Sequence, residues 1–126
     1  MTAATSGPER ATDPGCLFCR IAAGEIPATV VHEDDATVAF RDLEPQAATH
    51  VLVIPRHHVA TVAELAEELP QDLAAVLATV ARVADLEGIA ESGYRTVFNT
   101  GPDAQQSVHH AHLHVLGGRA MTWPPG

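Results

Sequence analysis

SVHHAHLHVLGG, residues 107–118, gathers four of the chain's eight histidines into one short stretch. Its alternation is that of a β-strand. Side chains two apart share a face and repeat every ~6.5–7 Å, so His110, His112 and His114 form one row and Ala111, Leu113 and Val115 the other. The apolar row faces a core. The histidine row admits three readings: a solvated face on which histidine stands in for Thr or Ser, a set of metal ligands, or acid, base and nucleophile chemistry at phosphorus. The neighbours favour the third. Ser107 opens the stretch, the preceding loop NTGPDAQQS (99–107) is made of turn formers whose N–H groups suit phosphate oxygens, and GGR (117–119) permits close backbone approach.

Working outward, YRTVFN (94–99) reads as the strand before this one. Upstream, from about Val62 to Gly88, the period changes. Leu69, Leu73, Val76, Leu77, Val80 and Val83 recur at threes and fours, predicting one long amphipathic helix that Gly88 stops. Pro70 suits the first turn of a helix better than its interior, since it has no N–H to donate. THVLVIP (49–55) is nearly all apolar and reads as a central strand. ATVVHE (28–33) and ATVAFRD (36–42), separated by Asp34 and Asp35, read as a hairpin. CLFCRIAAGEIP (16–27) reads as a short helix or turn with Leu17, Phe18 and Ile21 inward. The sum is an α+β domain: five antiparallel strands, one long helix on a face, and a short N-terminal helix.

Composition narrows the function. At 126 residues the chain is about one domain long. Hydrophobic residues make up 46%, yet no apolar run approaches the ~20 residues of a membrane span. The formal net charge is −9 and there is no lysine, so no broad basic footprint exists for nucleic acid. A small anionic ligand remains compatible if N–H groups or histidines meet it locally. The opening MTAATSGPERATDPG lacks the positive start and apolar middle of a secretory signal, which predicts a flexible leader over 1–14 and a cytoplasmic protein. The domain then spans 15–126.

QSVHHAHLHVLGGRAMTWPPG (106–126) resembles the histidine triad (HIT) superfamily, whose motif His-φ-His-φ-His-φ-φ, with φ hydrophobic, is matched by His110 to Leu116. GEIPA, HEDD, AFRD, THVLVIPRHH and the terminal WPPG extend the likeness, in its Hint-like branch, from about Cys16 to Gly126. The resemblance implies a homodimer in which two five-stranded sheets join into a ten-stranded one. It also implies hydrolysis of purine nucleoside 5′-phosphoramidates, such as adenosine 5′-monophosphoramidate or AMP linked to lysine, with no catalytic metal. By position it makes His112 the nucleophile that forms a nucleotidyl-histidine. His114 and His110 bond phosphate oxygens or fix the tautomer of His112, and Ser107 donates to the leaving nitrogen or a phosphate oxygen. Asn99 and Gln106 contact the nucleotide at that end. Asp42 accepts the ribose hydroxyls, Leu17, Phe18, Ile21, Phe40 and Leu43 sandwich the purine, and Trp123 bears on substrate choice in trans. Blander readings exist: core membership for Leu17 and Ile21, a turn role for Asp42, a dimer anchor for Trp123. The family's Gly-Gln-Ser run is here Gln105, Gln106, Ser107, a departure that matters if the position needs positive φ. Two other functions stand beside the leading one: a dinucleoside polyphosphate hydrolase or phosphorylase of a neighbouring branch, which the WPPG tail disfavours, and a non-catalytic nucleotide- or zinc-binding regulatory protein.

Cys16 and Cys19 are too close for a framework disulfide. A thioredoxin-like redox pair lacks its strand-to-helix context. A structural zinc would need histidines to complete the tetrahedron, and the likeness to HIT relatives and galactose-1-phosphate uridylyltransferases implies His58 and His110, with His50 or His57 as substitutes for His58. The alternative is two small thiols packed as hydrophobes.

Overall fold

The computed structural model describes residues 11–126; of the expected leader, residues 1–10 lie outside the described residues. Residues 11–14 are bonded to the body, since the His58 N–H donates to the Ala11 carbonyl at 2.7 Å and the Asp13 N–H points at Cys19 Sγ at 3.4 Å. In chain order the elements are α1 (Leu17–Ala22), β1 (Val30–Glu33), β2 (Thr37–Arg41), β3 (Thr49–Pro55), α2 (Val62–Glu68), α3 (Pro70–Glu87), β4 (Tyr94–Phe98), a 3-10 turn (Pro102–Ala104) and β5 (Leu113–Gly117). The five strands form one antiparallel sheet in the order β1-β2-β3-β5-β4.

Every position of the apolar run 49–55 is buried, because β3 lies mid-sheet with helical cover on both faces. Odd positions of β3, Val51 and Val53, pack with Leu113 and Val115 of β5 against Val76, Val80 and Val83 of α3. Even positions, Leu52 and Ile54, pack with Val38 and Phe40 of β2 against Phe18, Cys16 and Cys19 at α1. The sheet therefore separates a layer of apolar packing from a second layer that holds the two cysteines.

The predicted single helix over 62–88 is two helices. Leu69 adopts φ −137°, ψ 62° between them, because a residue before proline is pushed out of the α region, and Pro70 begins α3 at a position where no N–H is needed. Thr61 caps α2, its hydroxyl accepting the Glu64 N–H at 3.2 Å. Gly88 ends α3 with φ 72°, and the Ile89 N–H closes back on the Ala84 carbonyl at 3.0 Å. The final strand is shorter than predicted. Ladder pairing with β3 starts at Leu113, opposite Val53, so only His114 of the three histidines sits within β5. The chain before it still alternates: Ala111 is buried in the α3 layer, and His110 and His112 pack against Phe18 in the other. Among the described residues no helix is long and apolar enough to cross a membrane.

Candidate active site and metal centre

On the α1 side of the sheet, a cavity of ≈ 330 Å³ opens between α1, the end of β2 and the histidine row. Phe18 is buried at its inner wall. Leu17 and Leu43, 46% and 96% exposed, stand at its mouth, so neither is a core residue. Ile21 and Phe40 complete the apolar end, while Asp42, Ser107, His112 and His114 supply the polar one. Sequence reasoning missed Ile26, Pro27 and Ala28, which line the same cavity from the irregular segment after α1. Asn99, Gln106 and Trp123 do not line it. The Gln106 amide donates to the carbonyls of Ala60 and Val108 at 2.7 and 3.2 Å and accepts the Gly101 N–H at 3.0 Å, which pins the loop that carries Ser107. Gln105 beside it has φ 62°, a left-handed conformation that costs a side-chain-bearing residue about 1 kcal/mol. Trp123 is 80% exposed, with the Arg95 guanidinium over its ring at 5.8 Å.

Hydrogen bonds assign the protons of the histidine row. His112 Nδ1 lies 2.7 Å from the His110 carbonyl oxygen, which can only accept, so His112 carries its proton on Nδ1 and keeps the Nε2 lone pair free. The Gln46 N–H donates to His50 Nδ1 at 3.0 Å, so the proton of His50 is on Nε2. That nitrogen is 2.8 Å from His114 Nδ1 and 3.4 Å from Asp42 Oδ2. His114 therefore accepts at Nδ1 and bears its own proton on Nε2. Among the described residues, His114 Nε2 is the one buried side-chain N or O atom without a hydrogen-bond partner, and His114 lines the cavity. Burial holds His112 and His50 below the ordinary imidazole range and pushes His114 down to about 4, so the row is neutral near pH 7. His50 entered the sequence reading only as a substitute metal ligand; its neighbour across β3 and β5 shows its actual setting. Asp42, His50 and His114 also lie close enough to hold an ion, but the Gln46 N–H aimed at His50 Nδ1 leaves no lone pair on Nε2 for one.

His110 faces the other way. Its Nε2–H donates to the Pro55 carbonyl at 2.8 Å, which turns the Nδ1 lone pair toward Cys16 Sγ and Cys19 Sγ, each 3.5 Å away. His58 Nδ1 is 3.4 Å from Cys19 Sγ. The four donor atoms lie within 4.8 Å of one another, largely buried, as a Cys2His2 set with a carbonyl fixing the ring of one ligand; the residues fit a structural tetrahedral zinc. Burial pushes the Cys19 thiol up to about 11, a penalty that metal binding would remove by holding the thiolate. His57, the other substitute for His58, bonds Asp72 at 2.6 Å instead.

Fold and site define a class: a small α+β protein with a histidine row and a carboxylate at one cleft, backed by a thiol and imidazole cluster. The chain belongs to the HIT family, whose HIT domain model matches residues 23–121. It is 47% identical over 118 residues to a 14 kDa zinc-binding protein of Zea mays, covering 93% of this chain and 92% of that one. It is 44% identical over 105 residues to the purine nucleoside phosphoramidase of Escherichia coli K12, covering 83% and 88%. A solved HIT family hydrolase from Legionella pneumophila superposes with a TM-score of 0.85 at 54% identity, over 89% of this chain and all of that one.

Proposed function

We propose that the protein hydrolyses the P–N bond of purine nucleoside 5′-phosphoramidates through a nucleotidyl-histidine at His112. The observation that carries this is the His112 tautomer: Nδ1–H is held by the His110 carbonyl, leaving the Nε2 lone pair at a cavity large enough for a nucleoside. The 44% identity to a purine nucleoside phosphoramidase supports the substrate class.

In this reading the apolar end of the cavity takes the base and Asp42 takes the ribose hydroxyls, which sets the α-phosphorus near His112. Nε2 attacks phosphorus as the P–N bond breaks, and the departing amine takes the Ser107 hydroxyl proton, which the water of the second step returns, while the Nε2–H of His114 stays in place as a donor. The same Nε2–H is aimed where charge gathers on the phosphoryl oxygens. Water then cleaves the His112–phosphorus bond, releasing the nucleoside monophosphate and restoring the imidazole. The Cys16, Cys19, His58 and His110 set holds a structural zinc that takes no part in these steps. A homodimer and a cytoplasmic setting complete the reading. Among the described residues β4 is a sheet edge with Tyr94 exposed, which a second sheet can extend.

The test is His112→Asn. Turnover of adenosine 5′-monophosphoramidate should vanish while AMP still binds. Retained turnover removes His112 as nucleophile; AMP binding by the unaltered chain without any turnover turns the reading toward a regulatory nucleotide-binding protein.

A further inference from the structure

The metal centre and the nucleotide cavity are built from the same two pieces of chain. Cys16 and Cys19 flank Leu17 and Phe18, which line the cavity. The Phe18 ring meets His112 edge-on at 5.0 Å between centroids, His110 at 6.1 Å and Phe40 at 5.5 Å. His110 is shared more directly: its ring faces the thiols, and its carbonyl holds the Nδ1–H of His112.

Helix α1 has six residues, too few to persist without tethers. At its C-terminal end, Arg56 Nη1 donates to the Ala22 carbonyl at 2.9 Å. At its N-terminal end the Cys16 N–H donates to the Asp13 carbonyl at 3.0 Å, and the remaining polar contacts from outside the helix are long ones made through sulfur: the two thiol–His110 contacts, Cys19 to His58, and the Asp13 N–H to Cys19. A bound ion would replace the thiol–imidazole approaches with bonds from all four donors.

We propose that the Cys16, Cys19, His58 and His110 centre is a positioning device for the nucleotide cavity, fixing Phe18 against His112 by tying α1 to His110, so that metal occupancy governs nucleotide affinity. This rests on the proposed nucleotide site, in which Phe18 forms part of the cavity wall and also packs on His112.

The experiment compares the full chain loaded with zinc and stripped by a chelator, reading AMP affinity by calorimetry, helix content by circular dichroism, and the His112 Nδ1–H resonance in 15N-labelled protein. Stripping should weaken AMP binding on the order of tenfold, the size of one lost aromatic contact, and shift the His112 resonance, with helix content kept and both changes reversed by zinc. Unchanged affinity and an unmoved resonance in a folded, stripped chain overturn the proposal. If stripping unfolds the chain, Phe18→Leu decides, since all four donors remain. It should keep one equivalent of zinc yet shift the His112 Nδ1–H resonance of the nucleotide-free chain and bind AMP about tenfold more weakly, and an unmoved resonance in that variant overturns the proposal. Because the readouts are affinity and a resonance, absent phosphoramidate turnover would remove the hydrolase reading while these comparisons still decide this one.

Discussion

His50 Nε2 lies 2.8 Å from His114 Nδ1, and because the Gln46 N–H occupies the far side of the His50 ring, that short contact has one direction: His50 donates and His114 accepts. Arg119 holds Gln46 in turn, with Nε and Nη2 each 3.3 Å from its carbonyl oxygen. The chain of contacts ends at the free Nε2–H of His114. His50→Leu should leave His114 Nδ1 buried without a donor. We expect a stability loss of about 1–3 kcal/mol in urea unfolding, together with a fall in turnover. Turnover at the parent rate would show that the His114 proton does not act in the reaction.

Acid should destabilise the fold through the same residue. Burial first, then the neighbouring His112 and His50, push His114 down to about 4, with the Asp42 carboxylate opposing. In the unfolded chain an imidazole titrates near 6.5. Above that value both states are neutral and the group contributes nothing; below it the unfolded chain binds a proton the folded one refuses. Stability therefore falls as pH drops from about 6.5 to about 4 and levels off below. His114→Gln should shrink the difference between urea midpoints at pH 7 and pH 5. An equal difference in parent and variant would assign the acid sensitivity elsewhere.

What the sequence discloses depends on how local each signal is. The row of His110, His112 and His114 follows from a period of two, and the alternation persists even where the ladder does not. Beyond the Val53–Leu113 pair, β3 runs through Ile54 to Pro55, which has no N–H and whose carbonyl accepts from the His110 ring instead of from a strand. The Leu69 break is hidden because Leu69, Leu73 and Val76 keep the helical period across it. His50 was illegible as part of the site for a different reason. Its meeting with His114 depends on the β3–β5 register, in which Leu52 pairs with His114 and His50 with Leu116, a long-range fact no window contains. Exposure at Leu17 and Leu43 is likewise invisible to composition, since an apolar residue at the mouth of a cleft looks like one in a core.

Metal should bind with a definite stoichiometry. Cys16, Cys19, His58 and His110 present two sulfurs and two imidazole nitrogens, which predicts one zinc per chain in protein prepared without chelator. His58→Ala removes one donor at the more open side of the set and should lower both metal content and the unfolding temperature in zinc-containing buffer, while in chelator the two proteins should melt closer together. Metal analysis showing far less than one equivalent in the parent chain would leave the cluster as packed thiols and imidazoles.

The Asp42 carboxylate divides its two oxygens between tasks. Oδ1 accepts the Glu44 N–H at 2.8 Å and closes the turn after β2, while Oδ2 stands 3.4 Å from His50 Nε2 in a residue that lines the cavity. Asp42→Asn preserves the Oδ1 contact and replaces Oδ2 with an amide donor, so the turn survives and an acceptor for the ribose is lost. AMP binding should weaken about tenfold or more, as expected for a hydrogen bond to a charged group. A 2′,3′-dideoxy nucleotide offers no hydroxyls to that carboxylate and should bind parent and variant alike. Such a cycle isolates the ribose contact from any general disturbance of the site. Equal losses for both nucleotides would mean that Asp42 acts through His50 and the histidine row, with the ribose held elsewhere.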